Sequence, residues 1–468
     1  MASTFFGFSV ARRGMNAHQT ALNVTAHNIA NASTPGFSRQ QAVFQTTTPA
    51  MAVSGNRHDG PGQMGTGVTI AEIRRVRDGF LDYQLRQQLS KGSHWQERHE
   101  VLSTVEMILM EPSDTGLSSV FERFWGAWQE LAKNPTAGAT RAAVVETGTT
   151  LAASLNNLAT QSEVLLEDLN VKTGLAVNDI NSLSAQIATL NTQIVTNLGA
   201  GLNPNDLMDR RDVLLDDLAR IVGFQALPQP TGAINVAVGG RHLVQEGRAI
   251  AIQGAMVGTS LAPAWPEGEA LLLNEGSVAG IQVARQWVEN DFFGKINALA
   301  RTLHDSVNSV HVLGQHLDPS NPTMGENFFT LPLTPGREAR LIGLNPDIRN
   351  NPSLIRTAAP LAGLADGSNA LNIARLRNAP MPGGTASLEG YFAGIVTALG
   401  VESQQAERIS QNQESLTNQL TNRREEAAGV SIDEELSFMV QFQHGYQASA
   451  RLLSTMDELL QTILNLGR

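Results

Sequence analysis

Ala21-Leu22-Asn23-Val24-Thr25-Ala26-His27-Asn28-Ile29-Ala30-Asn31-Ala32-Ser33-Thr34-Pro35-Gly36-Phe37-Ser38-Arg39-Gln40 reads as the end of a helix followed by a turn. Upstream, Phe8, Ala11, Met15, His18, Leu22, Thr25 and Ile29 recur at intervals of three and four, which predicts one stripe of a helix over residues 4–31. The helix should stop near Asn31. Pro35 disfavours helical geometry at Thr34, and Pro35-Gly36 suits the two central positions of a type II turn. The far end of the chain carries a matching signal. Ser431 is followed three residues on by Glu434, a capping box. Beyond it Leu436, Met439, Phe442, Tyr446, Ala450, Leu453, Met456, Leu460, Ile463 and Leu464 make a broad apolar stripe. Two amphipathic helices at the extremes of a chain, neither with a core of its own, point to an assembly subunit. Its ends are expected to pack on each other and on neighbouring subunits.

The chain has 468 residues, 42% hydrophobic and 16% charged, which is globular in character and large enough for several domains. A net charge of −11 argues against nucleic-acid or anionic-membrane binding. Charge is uneven along the chain. Residues 1–58 hold Arg12, Arg13, Arg39 and Arg57 with no acid, whereas the last helix carries Glu434, Glu435, Asp457 and Glu458. There is no cysteine, which excludes disulfides, thiolate catalysis and cysteine-type zinc sites. The opening residues lack a basic n-region and a long apolar core, so no cleavable signal is expected. No run of about 18 apolar residues occurs, so no membrane span is expected.

Between the ends, 38–80 reads as extended, and 75–222 as mostly helical. One helix is predicted over about 138–198. Leu151, Leu155, Leu158, Leu165 and Leu169, with Ser162 in the gap, fit one heptad seam, and Ile180, Leu183, Ile187, Leu190 and Ile194 fit a second. Gly174 between them is a candidate kink. Unbroken, about 60 residues would reach roughly 90 Å. Ile234, Val236 and Val238 alternate and lead into Gly239-Gly240, a hairpin signal within a small β region at 223–285. Helix is expected again at 286–313, at 369–376 and over most of 387–466, while 316–368 carries no clear assignment. The fold expected is mainly α with a small inserted β domain. It has long coiled-coil-like terminal helices (1–60 with 430–468), a helical-bundle middle (61–222 with 286–315 and 369–429) and an outer β-rich part (223–285).

Candidate chemistry is thin. Gly60 to Gly65 spells G-x-G-x-x-G but precedes a strand-like run, the reverse of the dinucleotide arrangement. His304 and His311 lie two turns apart and suit packing better than a metal. Asp209, Asp212 and Asp216 share a helix face with Arg210 and Arg211 between them, which predicts surface ion pairing. Trp125 and Trp128, at helical spacing, predict a core. No catalytic, cofactor or metal residue emerges, and no enzyme activity is expected.

Taken in order, Asn28 to Gln40, Gly65-Thr66-Gly67-Val68 with Arg75 and Asp78-Gly79-Phe80-Leu81, Asp206 to Asp212, Asn308 to His311, Ser368 to Leu371, Ile432-Asp433-Glu434-Glu435 and Tyr446 to Arg451 resemble the flagellar axial proteins, the rod, hook and hook-associated family. The Ser38-Arg39-Gln40 extension is similar to the hook-associated branch. The resemblance implies a structural subunit secreted through the flagellar type III route to the extracellular hook–filament junction. There a ring of about eleven copies would adapt the hook to the filament. Its implied partners are itself, the hook protein, a second hook-associated junction protein, and an export chaperone at the C-terminal helices. The subunit interface it implies comprises Phe8, Met15, Leu22, Asn28, Ile29, Asn31, Pro35, Gly36, Phe37 and Arg39 near the start, and Leu436, Met439, Phe442, Tyr446, Ala450, Leu453 and Leu460 near the end. The rival readings are a hook or distal-rod protein, a secreted enzyme, or an adhesin carrying axial-type ends.

Overall fold

The computed structural model describes residues 6–49, 65–317, 326–332 and 334–466. In chain order the elements are α1 (Phe6–Ala30), β1 (Gln40–Thr46), β2 (Val68–Arg75), α2 (Gly79–Leu109), α3 (Leu117–Lys133), α4 (Gly138–Gly199), α5 (Asn205–Ile221), β3 (Gln225–Pro228), β4 (Ile234–Val238), β5 (Arg241–Gln245), β6 (Arg248–Ala249), β7 (Gln253–Val257), β8 (Ser260–Ala264), α6 (Ser277–Trp287), α7 (Gly294–His311), β9 (Phe329–Thr330), α8 (Glu338–Leu341), β10 (Gly343–Leu344), α9 (Pro346–Asn350), α10 (Ser368–Arg375), α11 (Leu388–Ala428) and α12 (Ile432–Leu466). The fold is mainly α with a few short antiparallel sheets. Two compact units share the chain. The first comprises 1–90, 179–252 and 414–468, and the second 91–178 and 253–413. The glycine motif at 60–65 lies, apart from Gly65, outside the described residues.

In the first unit α1 ends at Ala30, as the downstream proline requires. The Phe37 N–H donates to the Thr34 carbonyl (3.2 Å) and Gly36 has φ +78°, the geometry of a type II turn. β1 and β2 pair antiparallel, with a bulge at Val43/Phe44. β3 to β6 form a four-stranded meander. Gly239 and Gly240 join β4 to β5 with φ +57° and +83°, the two positive values a type I′ hairpin needs. The strands within 223–285 do not make one sheet. β7 and β8 form a separate hairpin in the second unit, because the chain changes units near Ile252.

α4 runs unbroken for 62 residues, and Gly174 neither kinks nor splits it. An added Cβ there would lie 3.4 Å from Leu261 Cδ2, an ordinary van der Waals contact with the β7–β8 hairpin, so the helix runs on through Gly174 without needing the glycine for space. The first heptad seam is buried throughout. In the second seam Ile180, Ile187 and Ile194 are buried, but Leu183 and Leu190 are half-buried, and Ser184 and Asn191 take the inner positions. Asn191 Nδ2 donates to the Ile234 and Glu246 carbonyls (both 2.8 Å), and its Oδ1 accepts the Ile234 N–H (3.1 Å). Asn181 grips Ile252 in the same two-way fashion (both 2.8 Å). Asn170 takes the Thr259 carbonyl (3.0 Å) and the Leu261 N–H (2.9 Å). Each carboxamide supplies the donor and acceptor that a neighbouring strand would, so polar residues win inner helix positions.

The second unit has one large apolar core. Phe121, Phe124, Trp125 and Trp128 of α3 are fully buried there, with Trp128 edge-on to Phe328 at 5.1 Å. α6 begins at Ser277, earlier than the 286 expected, and passes through a π-helical turn at Val288–Phe293 into α7. The described part of 316–368 is ordered by polar anchors. Arg141 is buried and donates to the carbonyls of Pro135 (2.7 Å) and Ile355 (2.8 Å) and to Thr357 Oγ1 (2.9 Å). Asn308 pairs both ways with Phe329.

Candidate assembly interface

α1 and α12 lie antiparallel. Gly7 meets Met456, Gly14 meets Ser449, His18 meets Gly445 and Asn28 meets Glu435, so residue numbers fall along one helix one for one as they rise along the other. The residues α1 buries are small: Ala11, Gly14, Ala17, Ala21, Val24 and Thr25, ending in Asn28. A Cβ on Gly14 would already lie 3.0 Å from Ser449 Oγ. Small residues let two helix axes approach closely. This corrects the expected stripe. Ala11 and Thr25 belong to the buried face, while Phe8, Met15, Leu22 and Ile29 are half-buried beside it, spaced by seven. At mid-length His18, Phe44 and Phe442 form an aromatic cluster with centroids 5.6 to 6.3 Å apart. Burial pushes the His18 imidazole below its ordinary pKa.

Polar bonds fasten the two chain ends at the opposite pole of this pair. Asn28 Nδ2 donates to the Gln40 carbonyl (2.8 Å) and to Glu435 Oε2 (3.0 Å), and its Oδ1 accepts the Gln40 N–H (2.9 Å). The Glu435 carboxylate, 2% exposed, also accepts from Arg39 Nε at 2.8 Å. The Arg39 guanidinium lies over Phe438 at 5.4 Å, and its backbone N–H donates to the Ala428 carbonyl at 2.8 Å. The capping box is half made. Ser431 Oγ accepts the Glu434 N–H at 3.5 Å, while the Glu434 carboxylate turns to Arg39 at 3.3 Å.

Below the turn lies an ionic network that sequence spacing placed wrongly. Asp209, Asp212 and Asp216 are buried, and their partners are remote arginines rather than Arg210 and Arg211. Asp209 accepts the Ser38 N–H (3.0 Å), the Ser38 hydroxyl (2.7 Å) and Arg75 Nη1 (2.7 Å). Arg75 also reaches Asp212 (2.8 Å), Arg86 binds Asp212 (3.0 Å) and Asp216 (2.8 Å), and Arg77 binds Asp82 (2.6 Å) and Ser38 Oγ (3.0 Å). Burial alone would raise the Asp212 carboxyl; Arg77, Arg86 and Arg75 instead hold it down at about 2. Arg211 turns away to Asn191 (2.9 Å) and the Gly232 carbonyl (2.8 Å), and burial lowers it to about 10. Arg210 is exposed and takes no part. Ion pairing across more than a hundred residues has no local signature; Arg75 at the end of β2 and Arg77 two residues beyond it were the only hint.

Of the interface residues expected, Asn28, Asn31, Phe37 and Arg39 are thus brought together. Asn31 Nδ2 donates to the His27 carbonyl (2.9 Å), and Phe37 packs edge-on against the His27 ring at 5.4 Å. Pro35 and Gly36 are exposed. At the other end Met439, Phe442, Tyr446, Ala450, Leu453 and Leu460 are half-buried, and Leu436 is 46% exposed. Sequence reasoning missed Ser38, Gln40, Phe44, Asp209 and Glu435. The Gly/Ala spacing of α1, matched by Gly445 and Ser449, was the legible sign of a close helix pair. Beside the turn opens a groove of about 800 Å³, lined by Phe37 and Pro35, by Leu190 of α4, and by Arg210, Val213 and Leu214 of α5. Among the described residues there is no group of three or more His, Asp or Glu placed to hold a metal, and no helix long and apolar enough to cross a membrane.

The first and last helices pack on each other, and both of these segments match families of flagellar axial proteins. Residues 8–37 match the family described as flagella basal body rod protein, and 422–466 the flagellar basal body rod FlgEFG protein C-terminal family. Residues 102–329 match the flagellar hook-associated protein FlgK helical domain. Flagellar hook-associated protein 1 of Bacillus subtilis is 31% identical over 99% of both chains, and that of Escherichia coli 26% identical over 97% of this chain and 98% of its own. The flagellar hook junction protein FlgK from Burkholderia pseudomallei shares the fold with a TM-score of 0.59 at 17% identity, covering 74% of this chain and 100% of its own. The chain belongs to the flagellar hook-associated protein 1 family, and it is a structural component of the bacterial flagellum.

Proposed function

We propose that this chain is the subunit of a ring that joins the hook to the filament. The observation that carries the reading is the imbalance of the terminal pair. α1 presents a narrow face of small residues, whereas α12 is apolar over a wider arc and leaves Ile432, Leu436, Val440, Leu452 and Leu459 about half exposed. Surface of that kind calls for neighbours. Phe8, Met15, Leu22 and Ile29, at a heptad interval on the flank of α1, offer a second seam for an adjacent copy. In this reading the terminal segments 1–60 and 430–468 form the inner layer of a ring of about eleven subunits. The chain is secreted by the flagellar type III route, with a chaperone held on its C-terminal helices beforehand. Its neighbours are the hook protein on one side and a second hook-associated protein on the other.

Electron microscopy of a deletion strain, with flagellin assayed in the medium, tests this. Bare hooks with flagellin lost to the medium are expected. Absent hooks would move the subunit down to the rod or hook, and intact filaments would refute an axial role.

A further inference from the structure

The groove beside the signature turn has an apolar floor of Phe37, Leu190, Val213 and Leu214, with Arg210 exposed at its edge. Arg210 stands outside the buried network and has no ionic partner among the described residues. A surface of opposite character lies on the same unit. Asp433, Leu436 and Val440 share one face at the start of α12, flanked by Ile432. Leu436 is 46% exposed and Val440 53%, and Asp433 is exposed beside them. We infer that the groove receives this Ile432–Leu436–Val440 stripe of α12 from a second copy of the chain, with Asp433 set against Arg210.

Four observations support the match. Apolar side chains at intervals of four, projecting from a helix, are the shape a groove between two helices accepts. Arg210 at the groove's edge and Asp433 beside the stripe carry opposite charges that the intrachain latch leaves unused, whereas Asp206, the exposed acid that also lines the groove, is already engaged by Gln40 Nε2 (2.8 Å) and His27 (3.5 Å). Both patches also sit at one level of the unit. The groove includes His27 and Asn31, on either side of Asn28, and the stripe includes Leu436, next to the Glu435 that Asn28 binds. A head-to-tail contact closes into a ring only when the donor and acceptor patches lie at one height along the symmetry axis. The stripe is also continuous with the face of α12 that already covers α1, so the neighbour would extend an interface rather than found a new one. The inference rests on the ring reading for where the contact forms, while the contact itself is open to a separate test.

The chain has no cysteine, so introduced thiols are the only ones. Leu214→Cys and Leu436→Cys are carried on two separate copies, co-produced in a deletion strain and also mixed as purified full-length chains, then oxidised. A disulfide between the two different copies is expected in assembled flagella and in the concentrated mixture. Arg210→Glu should lower its yield roughly three- to tenfold, as for loss and reversal of an exposed ion pair. Asp433→Arg added to the other copy should restore it. No mixed disulfide in either setting overturns the inference, and so does a Leu436→Cys self-disulfide that predominates, since that would mean the stripes pair with each other. Immunogold position at the hook tip is scored independently. A mislocated chain that still forms the mixed disulfide would refute the junction reading and leave the docking surface standing.

Discussion

Removing Asp209 should free the signature turn from α5. Its carboxylate accepts the Ser38 N–H, the Ser38 hydroxyl and Arg75, at 2.7 to 3.0 Å, and it is 5% exposed. Bonds to a buried charge contribute about 1.5–3 kcal/mol each, and breaking a buried pair costs about 3–5 kcal/mol. In Asp209→Ala, Arg75 keeps Asp212 as a partner, so the lower end applies, about 3 kcal/mol. Hydrogen exchange at the Ser38 amide reads this locally, without assuming that the whole chain unfolds in one step. At about 1.4 kcal/mol per tenfold, exchange should speed by roughly 100-fold. Asp209→Asn keeps one acceptor and should have a smaller effect. Arg210→Ala is the control, and it should leave Ser38 exchange unchanged because Arg210 lies outside the network. Equal protection in Asp209→Ala and the parent protein would refute the clamp. A large effect of Arg210→Ala would restore the local pairing of Arg210 with Asp209 that the sequence suggested.

Other consequences are as direct. His311 is neutral in the second unit: its Nδ1–H donates to the Glu326 carbonyl (3.0 Å), its Nε2 accepts the Arg356 N–H (3.1 Å), and burial lowers its pKa to about 3. The folded value lies below the unfolded one, so its contribution is full above about pH 6.5 and is lost as pH falls toward 3, up to about 4 kcal/mol. Denaturant midpoints against pH should slope through that window, and His311→Gln should flatten the slope. Gly445→Ala sets a methyl 2.6 Å from the His18 ring and should loosen the α1–α12 pair by about 1–3 kcal/mol; limited proteolysis should then cut α1 faster while the second unit stays resistant. Pro35→Ala with Gly36→Ala should impair ring formation and spare secretion, since Gly36 sits at positive φ against Val213; normal filaments from that variant would count against the turn's role. In the free subunit the terminal pair should be digested before the second unit, because α1 buries mainly small residues and α12 leaves Leu436, Val440 and Leu459 exposed, so the pair recovers little of the roughly 1–2 kcal/mol per residue of ordering; resistant ends in a dilute monomer would refute this.

Turns and seams whose partners lie close in sequence were legible, while contacts between remote segments were not. The Pro35-Gly36 turn, the Gly239-Gly240 hairpin and the first heptad seam of α4 each depend on neighbours within a few residues. The α1 stripe was misplaced by about one position, because apolar size was taken as the mark of the buried face. Close helix packing reverses that rule, so Gly14 and Ala21 go inside and Met15 and Leu22 to the flank. Asp209 was read as a surface group because its nearest cations were Arg210 and Arg211. Its true partners, Ser38 and Arg75, are reached only once β1, β2 and α5 have folded together. The same holds for Asn191, whose inner position is decided by a strand forty residues on.

The asparagines that grip extended backbone carry a chemical liability as well as a structural role. Hydrolysis of the Asn28, Asn181 or Asn191 amide would exchange an NH₂ for a carboxylate oxygen. Each new anion would then face a carbonyl oxygen across less than 3 Å. The bond would turn to repulsion with no change in shape. Asparagine is among the thermolabile residues, and a subunit held for long periods in a standing structure accumulates such changes. Wherever such a change occurred, a helix would lose its hold on a strand, and at Asn28 the first helix would lose its hold on the start of β1.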